Sequence, residues 1–350
     1  MVKHYMKGEL FMVKKLIILF SLILVLSACS SSNQVTNSGG KEKSNTSENE
    51  RKRIAFFSSG SNTTYEQVAF KQAKETAEKL GMDLDVFDAS YDALKQLGQI
   101  QNAITSGKYD GFVVQANDGN QLCKIVTQDA AEKGIAISAI NIELCGEHDN
   151  AAKNTITFIG GQGIGVYQGI LKKIFSDNPE GGKIAAIGGP PTGANYLNMK
   201  AAFELELKNY PNWELVGIHS TDYTANNANK VAQNVLQANK DLDVIFSNYS
   251  GMSVGVVSAK KSMKRDDVKL YDFGGDKWAF EAVKNGDIEQ TAIMLPRREI
   301  ELGIIALHDY FNGKDVPKFI NLTKEDILPG TPYVERSNIE EFESKGFPQY

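Results

Sequence analysis

The chain has 350 residues, with 38 Lys and Arg against 43 Asp and Glu and a net charge of −5. The charges are spread along the chain without a basic cluster, which argues against nucleic acid as a partner. With three cysteines and four scattered histidines, no metal site, cofactor or catalytic constellation is expected.

Lys14 and Lys15 precede an apolar run, Leu16 to Leu26, broken only by Ser21. The run is too short for a ~30 Å hydrocarbon core. With its charged flank and the small residues Ser27 and Ala28, it reads as a secretory signal over 1–28. Met12 is an alternative start, because the first eleven residues add nothing a signal needs. Leu26-Ser-Ala-Cys29 resembles the lipobox of bacterial lipoproteins. That resemblance implies that Cys29 carries lipid, the alternative being an ordinary signal peptide with a chance cysteine. Two acyl chains suffice for stable attachment at ~0.8 kcal/mol per buried CH₂. Residues 29–52 then read as a tether, too poor in apolar residues to offset their ordering entropy. About 300 residues remain, more than one typical core accommodates and suited to two lobes.

From Arg53 onward, short apolar runs alternate with stretches of helical periodicity. Strands are expected at Arg53–Ser58, Leu84–Asp88, Gly111–Gln115, Ile135–Ile140 and Thr155–Ile159. A second series follows at Lys183–Gly188, Trp213–Ile218, Val244–Ser247, Lys269–Phe273 and Gln290–Leu295. Continuous apolar runs suit strands buried on both faces. Val68, Ala69, Thr76, Ala77 and Leu80 keep to one helical face, and Gly81 ends that helix. The βα alternation occurs twice, which predicts an α/β protein of two doubly wound parallel-sheet lobes. Ligands of such sheets bind beyond the carboxyl ends of the strands, so two facing lobes form a cleft.

Arg53-Ile-Ala-Phe-Phe-Ser-Ser, Lys79-Leu-Gly-Met-Asp-Leu, Tyr109-Asp-Gly-Phe-Val-Val, Val231-Ala-Gln-Asn-Val-Leu and Phe280-Glu-Ala-Val-Lys-Asn-Gly, in this order, resemble the sugar-type periplasmic binding proteins of ABC transporters. The likeness covers about residues 53–320. It implies a type I fold with three hinge crossings, near Ile159–Gly161, Leu295–Arg297 and Val316–Phe319. The lobes would then be 53–159 with 297–317, and 160–296 with 318–350. The family's polar and aromatic positions after the first strand fall on Ser59, Thr63, Tyr65 and Glu66. Its Asp-Arg pair after the fourth strand falls on Asn141-Ile142, so the usual clamp on sugar hydroxyls is absent. Its remaining positions fall on Leu197, Tyr223, Tyr249, Gly274 and Met294. Asn117-Asp-Gly-Asn-Gln-Leu-Cys123, Glu143-Leu-Cys145, Pro191-Thr-Gly-Ala-Asn195 and Tyr210-Pro-Asn-Trp-Glu-Leu215 resemble the autoinducer-2-binding branch. Its two acidic site positions fall on Asn141 and Asn195, both neutral here.

Ser59, Thr63 and Tyr65 follow the first strand, where hydroxyls can meet a ligand or cap a helix. Asn141 offers both a donor and an acceptor, or is a turn residue. Asn195 and Tyr196 follow a Gly/Pro loop, either a cleft wall or a connector. Tyr65, Tyr223 and Tyr249 each follow a strand and can stack on a ligand or belong to core and rim. Asn248, Asp276 and Arg297 are weaker candidates; Asp276 can simply cap a helix, and Arg297 in the cleft would favour a carboxylate ligand. Cys123 and Cys145 follow parallel strands at one sheet edge, within reach of a disulfide, the alternative being two buried thiols. Gly160-Gly-Gln-Gly-Ile-Gly165 lacks the full dinucleotide fingerprint and reads as a hinge followed by a helix start. The expected function is that of a monomeric lipoprotein that hands a small carbohydrate-like ligand to an ABC permease. The alternative is a sensory lipoprotein that presents its ligand to a membrane receptor or kinase.

Overall fold

The computed structural model describes residues 51–350; the signal, the Cys29 anchor and residues 29–50 of the tether lie outside the described residues. Arg51 and Lys52, expected at the end of the tether, are instead part of the folded surface. Arg51 bridges to Asp83 at 2.9 Å and Lys52 to Asp110 at 2.7 Å.

The first lobe runs β1 (Arg53–Ser58), α1 (Thr64–Lys79), β2 (Asp83–Asp88), α2 (Ala93–Ser106), β3 (Gly111–Gln115), α3 (Ala130–Glu132, continuing a π-turn over Ile125–Asp129), β4 (Ala136–Asn141) and β5 (Thr157–Gly160). The second runs α4 (Ile164–Asp177), β6 (Gly182–Gly188), α5 (Ala194–Glu206), β7 (Trp213–Ser220), α6 (Ala225–Ala238), β8 (Val244–Ser247), α7 (Ser250–Met263), β9 (Lys269–Gly274), α8 (Lys277–Asn285) and β10 (Gln290–Ile293). The chain then makes α9 (Pro296–Phe311), β11 (Phe319–Asn321), β12 (Tyr333–Glu335) and α10 (Ile339–Ser344).

The two sheets share one topology: β11-β5-β4-β3-β1-β2 and β12-β10-β9-β8-β6-β7. All pairings are parallel except β10 with β12. β1 from Ile54, β3 and β4 are buried along their length, as helices on both faces require. Side-chain caps fix where helices start: Thr63 accepts from the Glu66 amide, and Asp92 from the Leu94 and Lys95 amides. α9 returns to the first lobe, where a Cβ on Gly303 would meet Ile140 at 2.9 Å.

The third crossing is later than its expected place near Val316–Phe319. Phe319–Asn321 pairs with Phe158–Gly160 of β5 and so extends the first sheet. Residues 318–321 therefore belong with the first lobe, and the chain crosses only after Asn321. The Phe319 ring stacks on Phe158 with centroids 5.7 Å apart, an apolar contact that holds the strand on this edge.

Candidate functional site

The loops at the carboxyl ends of both sheets meet in a closed cleft. The Tyr249 hydroxyl accepts from the Thr64 amide at 3.2 Å. The Ala194 amide donates to the Asn117 carbonyl at 3.0 Å, and Asn198 donates to Glu143 at 3.3 Å. Each of these contacts joins one lobe to the other.

A matched pair of tyrosines lines the middle of the cleft. Tyr91 follows β2 and Tyr223 follows β7, the second strand of each lobe, and both sit in the left-handed region at φ 58° and 66°. Such a backbone costs a non-glycine residue ~1–2 kcal/mol. Tyr91 lies over Gly60 and Tyr223 over Gly189, so a Cβ on either glycine would strike the ring. The two rings meet across the cleft at 5.3 Å, and Tyr223 meets Tyr249 edge-on at 6.1 Å.

The cavity beside these rings is also lined by Thr63, Glu66, Gln115, Asn195 and Asn248. Its free volume is about 30 Å³, so a guest larger than a few waters needs the lobes to part. Asn248, at the tip of β8, is 2% exposed, and neither end of its amide has a hydrogen-bond partner. The Tyr167 hydroxyl lies close to it without reaching hydrogen-bond geometry. The Asn195 Oδ1 is likewise buried and unpartnered.

Glu66 is the acid of this cavity. Its carboxyl accepts from the Ser59 hydroxyl at 3.1 Å, the Thr63 hydroxyl at 2.9 Å and the Gln115 amide at 3.5 Å. Burial raises its pKa to about 7, against the pull of those three donors. A second buried acid, Glu299 on α9, accepts from the Tyr65 hydroxyl and from Asn141 at 3.1 Å. Burial raises Glu299 to about 8, opposed by those partners. This network lies beneath the hinge, beside Gly161, Gln162, Leu295 and Thr323. A Cβ on Gly161 would run into the Glu299 carboxyl, and one on Gly160 into the Phe319 ring, so neither position has room for a side chain.

The expected site residues divide accordingly. Thr63, Tyr65, Asn195, Tyr223, Asn248 and Tyr249 line the central cavity, while Ser59 and Asn141 line the adjoining one. The Asn141 amide donates to Tyr65 and Glu299. Tyr196 lines neither: its hydroxyl donates to the Ile218 carbonyl at 3.0 Å within its own lobe. Asp276 lines neither and caps α8 by accepting from the Ala279 amide at 2.9 Å. Arg297 points out of the cleft and donates to the Gln349 carbonyl at 3.1 Å. Cys123 and Cys145 are joined in a disulfide with Cα atoms 4.9 Å apart, tying the loop after β3 to the loop after β4.

Sequence reasoning missed Tyr91, Gln115, Gln162 and Glu299 as site residues, and placed Glu66 at a family position without giving it a role of its own. Tyr91 was findable, because it occupies in the first lobe the place of Tyr223 in the second. Thr63-Thr-Tyr-Glu66 has the spacing of a capping box, which disguises the acid as helix-start chemistry. Glu299 is distant in sequence from Tyr65 and Asn141, which its carboxyl meets, and carried no signal.

A family model described as a periplasmic binding protein domain matches residues 54–315. The chain belongs to the periplasmic binding protein family. The family consists of substrate-binding proteins of ABC transporters, not enzymes, and works outside the cytoplasm. Among curated proteins, this family member is 22% identical over 251 residues to the ribose import binding protein of Bacillus subtilis, covering 72% of this chain and 79% of that one. It is 23% identical to the D-apiose import binding protein of Paraburkholderia graminis, over 69% and 75%. Among solved structures, an Agrobacterium vitis solute-binding protein with bound D-fucose matches with TM-score 0.72 at 22% identity, over 84% of this chain and 98% of that one. The Caulobacter myo-inositol binding protein matches with TM-score 0.71 at 19% identity, over 84% and 96%. Among the described residues, no helix is long and apolar enough to cross a membrane, and no cluster of His, Cys, Asp or Glu is placed to hold a metal.

Proposed function

We propose that this periplasmic binding protein is the lipid-anchored receptor of an ABC importer, and that its lobes close over a small polyhydroxylated ligand, a sugar or polyol. Asn248 carries the reading. A buried amide without partners costs ~1–3 kcal/mol, and this one faces a cavity walled by rings from both lobes. A ligand hydroxyl both donates and accepts, so it satisfies either end of the amide. The rings of Tyr91, Tyr223 and Tyr249 suit the C–H face of a sugar. Ser59, Thr63, Tyr65, Asn141 and Asn195 complete the contact set, and Cys29 holds the protein on the outer face of the membrane beside its permease. The sugars and polyols in the names of its relatives and structural neighbours support the same class.

Thermal-shift screening against sugars and polyols tests this. A true ligand at a hundred times its Kd stabilises the fold by ~2.7 kcal/mol. The expected result is a marked rise in Tm with one compound class, lost in Asn248→Ala. No response to any sugar or polyol, neutral or amino-substituted, overturns the reading. Cys29→Ser is expected to release the protein from membranes into the medium.

A further inference from the structure

The central cavity is rich in acceptors and holds no cation. Glu66, Asn195 and Asn248 line it together with Tyr91, Tyr223 and Tyr249, and no Lys, Arg or His lines this cavity or the two that adjoin it. The Glu66 carboxyl is held only by neutral donors, from Ser59, Thr63 and Gln115, so when it ionises it has no counter-ion in the protein. Among the residues that line this space, the buried atoms without a partner are the Asn195 Oδ1 and both ends of the Asn248 amide. Two amide oxygens and one carboxyl therefore belong to the lining of one cavity.

A primary ammonium has three donors and no acceptor. It matches the Glu66 carboxyl, the Asn195 Oδ1 and the Asn248 Oδ1 with one donor each. The tyrosine rings add to the match. Tyr91 and Tyr223 lie 5.3 Å apart, and Tyr249 stands edge-on to Tyr223 at 86°. Electron-rich ring faces set at angles around an anion form the kind of cage that takes up alkylammonium groups.

We infer that the ligand carries a basic nitrogen: it is an amino sugar or amino polyol whose ammonium binds Glu66 and the two Asn oxygens inside the tyrosine cage. This inference rests on the sugar or polyol reading above and narrows it. The same chemistry disfavours a carboxylated or phosphorylated ligand, since its anion would meet the ionised Glu66 with no Lys, Arg or His in the lining to receive it.

The test is a set of matched pairs titrated calorimetrically into the wild-type protein at neutral pH. Galactosamine is compared with galactose, glucosamine with glucose, and 3-amino-1,2-propanediol with glycerol. The expected result is that the amine of at least one pair binds at least about tenfold more tightly than its hydroxyl partner. Glu66→Gln, checked for native circular dichroism, is expected to collapse that preference to near unity. A neutral sugar or polyol that binds as well as its amine, across all pairs that bind, overturns the inference and leaves the sugar reading standing. Binding by neither member of any pair overturns it too. Retention of the full amine preference in Glu66→Gln overturns the assignment to this carboxyl. The wild-type comparison decides the matter even if the variant does not fold.

Discussion

The rings of Tyr91 and Tyr223 meet at 5.3 Å across the cleft, each supplied by the second βα loop of its own lobe and each seated on a glycine. The repeat of a βα unit thus places one residue type at two equivalent positions that come together only when the lobes close. Both hold a left-handed backbone, a local cost that persists where the surroundings enforce it.

Tyr91→Ala and Tyr223→Ala are each expected to weaken ligand binding by about tenfold, near 1.4 kcal/mol, the order of an aromatic contact beyond its burial. Far-ultraviolet circular dichroism should stay native, because neither residue belongs to a strand. Calorimetric titration with the ligand identified by screening checks this; unchanged affinity in both variants would remove the rings from the site.

Asn248→Leu separates stability from function. Leucine removes a buried amide that lacks partners, so the ligand-free protein is expected to gain ~1–2 kcal/mol. Ligand binding is expected to vanish at the same time. Urea unfolding of the ligand-free variant reads the first effect; a loss of stability instead would mean that the amide is already satisfied in solution.

Stability should fall as pH rises through neutrality. Burial raises Glu66 to about 7, Glu299 to about 8 and Asp272 to about 7. In the unfolded chain these groups ionise near the ordinary carboxylate pKa, at ~4. Between that value and pH 8 the native state therefore binds more protons, and each group lowers stability by roughly 1.4 kcal/mol per pH unit while it does so. Their stabilising contribution is complete below the unfolded pKa and lost as pH passes the folded value. Thermal melts from pH 5 to 8 should show a declining Tm, with a shallower decline in Glu299→Gln. Parallel slopes for the two proteins would show that Glu299 does not titrate in this range.

The disulfide closes a loop with its cysteines 22 residues apart in sequence. Cys123→Ser together with Cys145→Ser is expected to cost about 3 kcal/mol in the chain-entropy model. The midpoint of guanidinium unfolding reads this, and an equal loss on reduction of the wild type confirms its source. Unchanged midpoints in both would show that the thiols are not joined in solution.

The fold was legible in the sequence. A run such as Phe112-Val113-Val114 is short, apolar at every position and rich in aromatic and β-branched residues, which suits a strand covered on both faces. Repeating that pattern twice with helical stretches between leaves the two-lobed α/β architecture as the consistent solution. Strand-end positions followed from it, which is why Thr63, Asn195, Tyr223 and Asn248 could be named. What stayed hidden depended on contacts between distant segments. Glu299 meets Tyr65 and Asn141 because α9 crosses back to the first sheet. Asp276 follows a strand and Tyr196 opens a helix near the same edge, yet one is taken up by its helix amide and the other by the Ile218 carbonyl. A linear pattern states which face of an element is buried; the hydrogen-bond partner of a polar group at its end is chosen by the three-dimensional neighbours that reach it first, and those only tertiary structure assigns.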